Sequence, residues 1–197
     1  MSIIGYLFTT LVWIVLLYLI DKKNNYLKIS RNMISAIHAF GIVITYFLDI
    51  PVYFIIYWST TYYTLDSLFV LLSMSKMFDI VMVFHHIIAI GIVQQLTDIY
   101  IGHFVQYCFF LTEVSNLPMY PVYHLKSLKS NRKILIKFLT FCELIFFVTF
   151  RLIMGAIALY KMILSGYATI FIMLTSSIIY VMSVLWTKGV YYQLIKN

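Results

Sequence analysis

Two adjacent histidines, His85 and His86, end the run M-F-D-I-V-M-V-F-H-H, which also contains Asp79. Asp79 and His86 are seven residues apart. On a helix they therefore share one face, about 10 Å from each other, whereas His85 is rotated by about 100°. A histidine in a partly dry pocket can take a proton from an alcohol or an amine. This spacing indicates acid–base chemistry, with hydrogen bonding between helices as the structural alternative.

The same residues do not have the spacing of a metal site. Adjacent imidazoles on one helix cannot bind one metal ion in the usual i, i+4 manner, and no cysteine or carboxylate at ligand spacing completes a site. We therefore predict no metal ligands. Cys108 and Cys142 each lie inside an apolar stretch and are interpreted as small buried hydrophobic residues.

A second polar group lies in the run F-F-L-T-E-V-S-N-L-P, where Glu113 is followed by Ser115 and Asn116. Pro118 loosens the helix at its end. A carboxylate at this place can pair with a histidine or with Arg151 of another helix. The alternative is a glutamate that water reaches at the membrane surface.

Arg151 lies deep in a long apolar stretch, too far from its ends to reach water easily. We expect a buried counter-ion, for which the sequence leaves Glu113, Glu143, Asp66 and Asp79 as alternatives. The other ionisable candidates inside apolar stretches are His38 and His103.

The amino-acid composition indicates that the chain is a membrane protein. The 197 residues include 14 Lys and Arg and 7 Asp and Glu, and 63% of them are hydrophobic. Soluble domains carry about twice this charged fraction, so a water-soluble fold is excluded. The formal net charge of +7 is interpreted against the membrane and not as a nucleic-acid footprint.

Hydropathy predicts an all-α multi-pass membrane protein with about seven transmembrane helices. The predicted spans are Ile3–Ile20, Ser30–Ile50, Val52–Met74, Phe78–Thr97, Ile99–Leu117, Ile134–Tyr160 and Ile163–Thr187. Polar residues around Ser59–Ser67 interrupt the third span, so a re-entrant segment is the alternative there.

The distribution of basic residues favours seven crossings. With seven, one side of the membrane receives twelve basic residues and the other receives Lys161 alone, with Arg151 inside a span. Basic residues accumulate on the cytoplasmic side, so we predict a lumenal or outer N-terminus and a cytoplasmic C-terminus. The basic group at 126–137 also fits contact with anionic head groups.

Small polar residues recur in the last predicted span. Thr169, Ser176 and Ser183 follow one another at intervals of seven. We interpret them as helix-packing positions, because small residues let backbones approach.

Several of these residues stand in the order of a known family. S-A-I-H-A-F at 35–40 follows Arg31, Asp66 and Asp79 precede the histidine pair, and Glu113 comes 27 residues after His86. F-F-V-T-F-R at 146–151 and V-M-S-V-L-W at 181–186 come last. Over residues 30–190 this pattern resembles the TLC-domain family, which includes the ceramide synthases.

The resemblance implies six helices forming a TLC-type bundle around a lipid-accessible cavity, with an extra N-terminal helix outside it and the paired histidines inside. It implies an N-terminal helix with a basic loop at 1–29, a TLC domain at 30–190 and a short cytoplasmic tail at 191–197. Where the synthases carry His-Asp and a later Asp, this chain has Thr112, Glu113 and Asn116. This difference favours the non-synthase members.

Two functions follow from the resemblance. The first is lipid binding in the bundle, in membrane lipid homeostasis or in sphingolipid or phospholipid metabolism, in the endoplasmic reticulum or another internal membrane. The second is acyl transfer from acyl-CoA as co-substrate to a lipid amine or hydroxyl. The expected catalytic residues are His85, His86, Asp79 and Glu113, and the expected lipid-binding residues are His38, Asp66, Ser115, Asn116 and Arg151. Membrane lipids are the expected partners, and no cofactor is expected.

Overall fold

The computed structural model describes residues 2–24, 27–48, 50–72, 77–98 and 100–196. For residues 22–24, 27–28 and 77–79 the description covers the backbone. The described part of the chain is helical and contains no β-strand. This agrees with the all-α class expected from the composition.

The helices follow one another with short connections. In chain order they are α1 (Ile3–Asn24), α2 (Leu27–Phe47), α3 (Val52–Leu72), α4 (Met77–Val93), α5 (Gly102–Asn116), α6 (Met119–Ser127), α7 (Lys133–Phe146), α8 (Gly155–Leu164) and α9 (Ile170–Lys196). A 3₁₀ turn at Gln94–Thr97 extends α4, and a π-helical segment at Phe147–Met154 joins α7 to α8 without a break.

Four stretches of this described structure are long and apolar enough to cross a membrane. They are Ile3–Asp21, Ile80–Thr97, Lys133–Leu164 and Ile170–Lys196. The protein is therefore a helical integral membrane protein by length and composition. The three long helices that fall outside this set are α2, α3 and α5, which carry most of the polar residues discussed below.

The polar stretch in the third predicted span is a regular helix. α3 is continuous from Val52 to Leu72, with Ser59, Thr61 and Asp66 buried along it. The polar residues thus form an interior face of α3. A re-entrant break, the alternative considered for this segment, does not occur in the structure.

The long helices alternate in direction. α2 and α3 are antiparallel, because Arg31 contacts Asp66 and His38 contacts Ser59. α3 and α4 are antiparallel by the contacts of Ser67 with His86 and of Thr60 with Gln94. The same register joins α2 to α5–α6 (Tyr46 with Phe110, Asn32 with Tyr120) and α4 to α9 (His85 with Trp186, Gly91 with Phe171). Thr9 with Thr61 and Trp13 with Tyr62 align α1 parallel to α3. The bundle is therefore an up-and-down arrangement.

The surface of the bundle is apolar and much of its interior is polar. Large hydrophobic side chains such as Leu7, Leu11, Leu174 and Leu185 are exposed on the outermost helices. Buried polar side chains include the ionisable residues His38, Asp66, His86, Glu113, Glu143 and Arg151. This distribution suits a lipid environment, in which ionisable groups face the bundle interior.

The break between the last two long helices lies later than the sequence predicts. We expected it between Tyr160 and Ile163, but α8 continues to Leu164 and α9 begins at Ile170. Gly166 has a φ of 71°, a conformation that glycine adopts at helix ends without steric cost. α9 also continues to Lys196, so the expected tail at 191–196 extends this helix.

A tight turn leads into α5. Oδ1 of Asp98 accepts hydrogen bonds from the backbone N–H groups of Tyr100 and Ile101, at 2.8 and 3.0 Å. Gly102 then passes so close to the 3₁₀ turn that a Cβ would lie 2.6 Å from the carbonyl oxygen of Leu96. Glycine is therefore required at this position for α5 to begin here.

Candidate functional site

Asp66 is the centre of a buried ion-pair group between α2, α3 and α4. Its Oδ1 and Oδ2 accept from Nε and Nη2 of Arg31, at 2.5 and 3.0 Å. Nδ1 of His86 lies 3.6 Å from Oδ2 of Asp66 and 3.3 Å from Oγ of Ser67. Bidentate pairing with an arginine is the strongest geometry for a carboxylate, so Arg31 and not Arg151 is the counter-ion of Asp66.

Glu113 is buried between α5, α2 and α3 and both of its oxygens have partners. The Tyr63 hydroxyl donates to Oε1 at 3.0 Å, and Nδ2 of Asn116 donates to Oε2 at 3.2 Å. Nδ1 of His38 lies 3.7 Å from Oε1. The alternative considered for Glu113, a glutamate that water reaches, does not occur in the structure, because the residue is 4% exposed.

His38 is fixed by its neighbours on two sides. Its Nε2 lies 3.1 Å from Oγ of Ser59, and the Tyr62 ring stacks on the imidazole with centroids 4.1 Å apart. The Tyr62 hydroxyl donates to Oγ of Ser35 at 2.8 Å. With both ring nitrogens near polar partners, His38 is a structural member of this interior network.

Arg151 reaches from the π-helical segment to the end of α5. Its Nε donates to Oγ of Ser115 at 2.6 Å, and its Nη2 donates to Oδ1 of Asn116 at 2.7 Å. The guanidinium carbon lies 4.5 Å from the Phe147 ring centroid and 5.4 Å from that of Trp186. Cation–π contact of this kind stabilises a desolvated arginine.

Arg151 is linked to Glu113 through the side-chain amide of Asn116 and not by the direct ion pair that we expected. Asn116 accepts from Arg151 through its oxygen and donates to Glu113 through its nitrogen. Among the described residues, Arg151 forms no direct ion pair with a carboxylate. The opposite charges of Glu113 and Arg151 are therefore held apart by one amide.

A cavity of about 800 Å³, including its open mouth, lies beside this network. It is lined by Tyr63, His85, Ala89, Ile92, Cys108, Phe109, Leu111, Thr112, Glu113, Phe150, Arg151, Gly155, Leu159, Met162, Ser176, Ile179, Tyr180 and Ser183. These residues come from α3, α4, α5, the π-helical segment, α8 and α9. Its mostly apolar wall with a few polar groups is typical of small-molecule sites.

The cavity has a polar end and an apolar end. His85 precedes Ile92 on α4, and Arg151 precedes Leu159 and Met162 on α8 and the segment before it. Each pair of positions spans about 10 to 15 Å of helix. Because Glu113 lies at the same end as His85 and Arg151, these three ionisable groups are together, and the far end is mostly apolar. This is the polarity profile of a lipid with a head and a chain.

The structure separates the two histidines of the pair. His86 is 3% exposed and belongs to the Asp66 group. His85 lines the cavity, and it hydrogen-bonds to no described residue. Its ring stands perpendicular to Trp186, with centroids 5.1 Å apart. Of the two imidazoles, His85 is the one that a molecule in the cavity can touch.

Three other ionisable residues singled out in the sequence lie apart from these contacts or outside the description. The side chain of Asp79 lies outside the described residues. His103 is exposed and distant from the network. Glu143 is 3% exposed and makes no hydrogen bond or ion pair with a described residue. Among the described residues no group of three His, Cys, Asp or Glu side chains could hold a metal ion.

Sequence reasoning missed several residues of the site. Tyr63 was considered only as one of the polar residues that interrupt the third predicted span, although it donates to Glu113. Ser176 and Ser183 were assigned to helix packing, and both also line the cavity. The signal for Tyr63 was its position between Ser59 and Asp66, since positions 59, 63 and 66 share one helical face.

Comparison with known proteins leaves the site to be interpreted from its own geometry. No family model, no curated protein and no solved structure matches the chain.

Proposed function

We propose that the protein binds lipid in its helix bundle and acts in membrane lipid homeostasis or in sphingolipid or phospholipid metabolism, as a protein similar to the TLC-domain family. One observation carries the proposal: the cavity has His85, Glu113 and Arg151 at one end and apolar side chains at the other. A lipid placed head-first at the polar end would bury its chain among Ile92, Leu159 and Met162.

The likeness to TLC-domain proteins is supported by the way its motif residues converge. His38 lies 3.7 Å from Glu113, and His86 lies 3.6 Å from Asp66. Arg151 reaches Glu113 through Asn116. Residues that are far apart in the chain and that carry the resemblance thus meet in two interior groups, and Glu113 and Arg151 of the second group line the cavity.

The proposal includes seven membrane crossings, with a lumenal N-terminus, in the endoplasmic reticulum or another internal membrane. The alternating direction of the long helices and the twelve-to-one distribution of basic residues support it. In this arrangement α2, α3 and α5 cross with their buried polar residues turned inward, although they do not combine the length and apolar character of the other four stretches.

Lipid retention by the purified protein tests the function. Gly155 lines the cavity, and a Cβ there would meet only the Phe150 carbonyl oxygen, at 3.6 Å. We expect the Gly155→Leu side chain to occupy the cavity and displace a co-purifying lipid, detected by mass spectrometry. Gly189→Leu is the matched control, because Gly189 is exposed with no atom within 4 Å of its Cβ position. Equal lipid content in both variants and in wild type would overturn the proposal.

The second candidate is an acyltransferase, favoured by an imidazole at the cavity that bonds to no described residue. His85 would take the proton of a lipid amine or hydroxyl while its nitrogen or oxygen attacks the thioester carbonyl of acyl-CoA. The carbon–sulfur bond would break, and the CoA thiolate would leave and take up that proton. Basic residues such as Lys126 would face the CoA phosphates from the cytoplasm.

Labelled acyl-CoA separates the two candidates. Transfer of label to a lipid amine or hydroxyl by wild type, lost in His85→Ala with His86→Ala, would establish the acyltransferase. If wild type transfers no label but retains lipid, the binding function stands and the acyltransferase is excluded.

A further inference from the structure

We infer that the ligand of this cavity has an uncharged hydroxyl head, which binds to the imidazole of His85. The inference rests on the proposed lipid-binding function and names its ligand class. It follows from the charge balance of the cavity wall, from the hydrogen bonds that already occupy Arg151, and from the accessible Nε2 of His85.

The wall of the cavity is already balanced in charge. Its lining contains one guanidinium, that of Arg151, and one carboxylate, that of Glu113, linked through Asn116. A charged head group would add an ion with no partner of its own. An uncompensated charge in a dry interior costs several kcal/mol, so a neutral head group is favoured over a carboxylate, a phosphate or an ammonium.

Arg151 has no accessible donor left for an anion. Its Nε and Nη2 donate to Ser115, Asn116 and the Thr112 carbonyl oxygen. Its Nη1 bonds to no described residue, but it is enclosed and the guanidinium packs against the Phe147 and Trp186 rings. The guanidinium therefore forms part of the cavity wall and does not offer a pair of N–H donors to a ligand.

The imidazole of His85 is a polar group of the cavity wall that forms no hydrogen bond with a described residue. Its Nδ1 is enclosed without a partner among the described residues. Nε2 is neither enclosed nor bonded to a described residue, so the cavity can reach it. A neutral imidazole nitrogen donates in one tautomer and accepts in the other. A hydroxyl, which both donates and accepts, fits either tautomer, whereas a carboxylate only accepts and an ammonium only donates.

A series of ligands with one chain and three heads tests the inference. Radiolabelled hexadecanol, hexadecanoate and hexadecylamine are titrated against the full-length protein in nanodiscs at pH 7.5, with empty nanodiscs as background. We expect hexadecanol to bind at least tenfold more tightly than either charged ligand. His85→Phe, which retains a ring, should weaken hexadecanol about fivefold to tenfold, the worth of one hydrogen bond. His103→Phe is the matched control, since His103 is exposed and does not line the cavity.

The outcomes separate this inference from the proposed function. If hexadecanoate or hexadecylamine binds as tightly as hexadecanol, or if His85→Phe leaves hexadecanol binding unchanged, the hydroxyl assignment fails while lipid binding stands. If no ligand gives saturable binding that Gly155→Leu abolishes, the lipid-binding function itself fails.

Discussion

At the scale of single residues, two ion groups of different construction organise the interior. Asp66 is paired directly and bidentately with Arg31. Glu113 and Arg151 instead share Asn116 between them. The first arrangement ties α2 to α3, and the second holds a cation and a carboxylate at the cavity wall without neutralising them by contact. Loss of Arg151 would therefore leave Oγ of Ser115 and Oδ1 of Asn116 without this donor.

We predict that Arg151→Met destabilises the protein by about 2 to 4 kcal/mol, because Oγ of Ser115 and Oδ1 of Asn116 lose their donor in a dry interior. The thermal unfolding midpoint in detergent, followed by circular dichroism, measures the effect. Lys161→Met is the control, because it also replaces a cation by methionine but at an exposed position near the end of α8. A midpoint equal to that of the control would contradict the role given to Arg151.

The sequence predicted which ionisable residues are interior but not how they pair. His38, Asp66, His86, Glu113 and Arg151 were all expected inside, because charge is costly in hydrocarbon, and all are buried. Their partners depend on which helix faces which, and hydropathy carries no information on that. The assignment of Asn116 as a bridge and of His85 as the accessible imidazole required the structure.

At the scale of elements, helix boundaries reflect local backbone requirements more than hydropathy. The stretch from 134 to 187 is mostly apolar, so hydropathy does not show where one helix ends and the next begins. The local signal for that helix end is Ser165 followed by Gly166. Gly166 takes the left-handed conformation there. The same kind of local signal marks the start of α5, where Asp98 and Gly102 form a tight turn against the preceding 3₁₀ segment.

We predict that Gly102→Ala destabilises the protein by about 1 to 3 kcal/mol, the range for overpacking. The new Cβ would lie 2.6 Å from a backbone carbonyl oxygen, which cannot move aside as a flexible side chain can. Gly189→Ala adds the same methyl group in open space on α9. Thermal unfolding of the two variants side by side should show a loss for the first alone, and a matched loss in both would refute the explanation.

At the scale of the whole molecule, polarity is distributed in the opposite sense to a soluble protein. Apolar side chains cover the outside, and the ionisable residues meet in the centre. Lys129 lies on the connection after α6, and Lys161 lies near the end of α8. The continuous helical stretch from Lys133 to Leu164 places these two residues at opposite ends of the bundle. These two exposed lysines report on membrane topology.

We predict that cysteines at these two positions are labelled from opposite sides of the membrane. Lys129→Cys and Lys161→Cys are each introduced after Cys108 and Cys142 have been replaced by alanine. An impermeant maleimide applied to sealed microsomes should react with the first, and should reach the second only after permeabilisation. Labelling of both from the same side would refute seven crossings.

The polar interior also bears on how the chain enters a membrane during synthesis. α2 emerges with Arg31 before α3 has supplied Asp66, and α5 emerges with Glu113 before Arg151 has been made. In the seven-span arrangement α2 and α5 are also outside the four long apolar stretches. We expect α2 and α5 to remain at the insertion machinery until a later helix has been made. Insertion of α2 would then be coupled to that of α3, and insertion of α5 to that of the helix containing Arg151. The polar contacts that organise the finished bundle would then also set the order of its assembly.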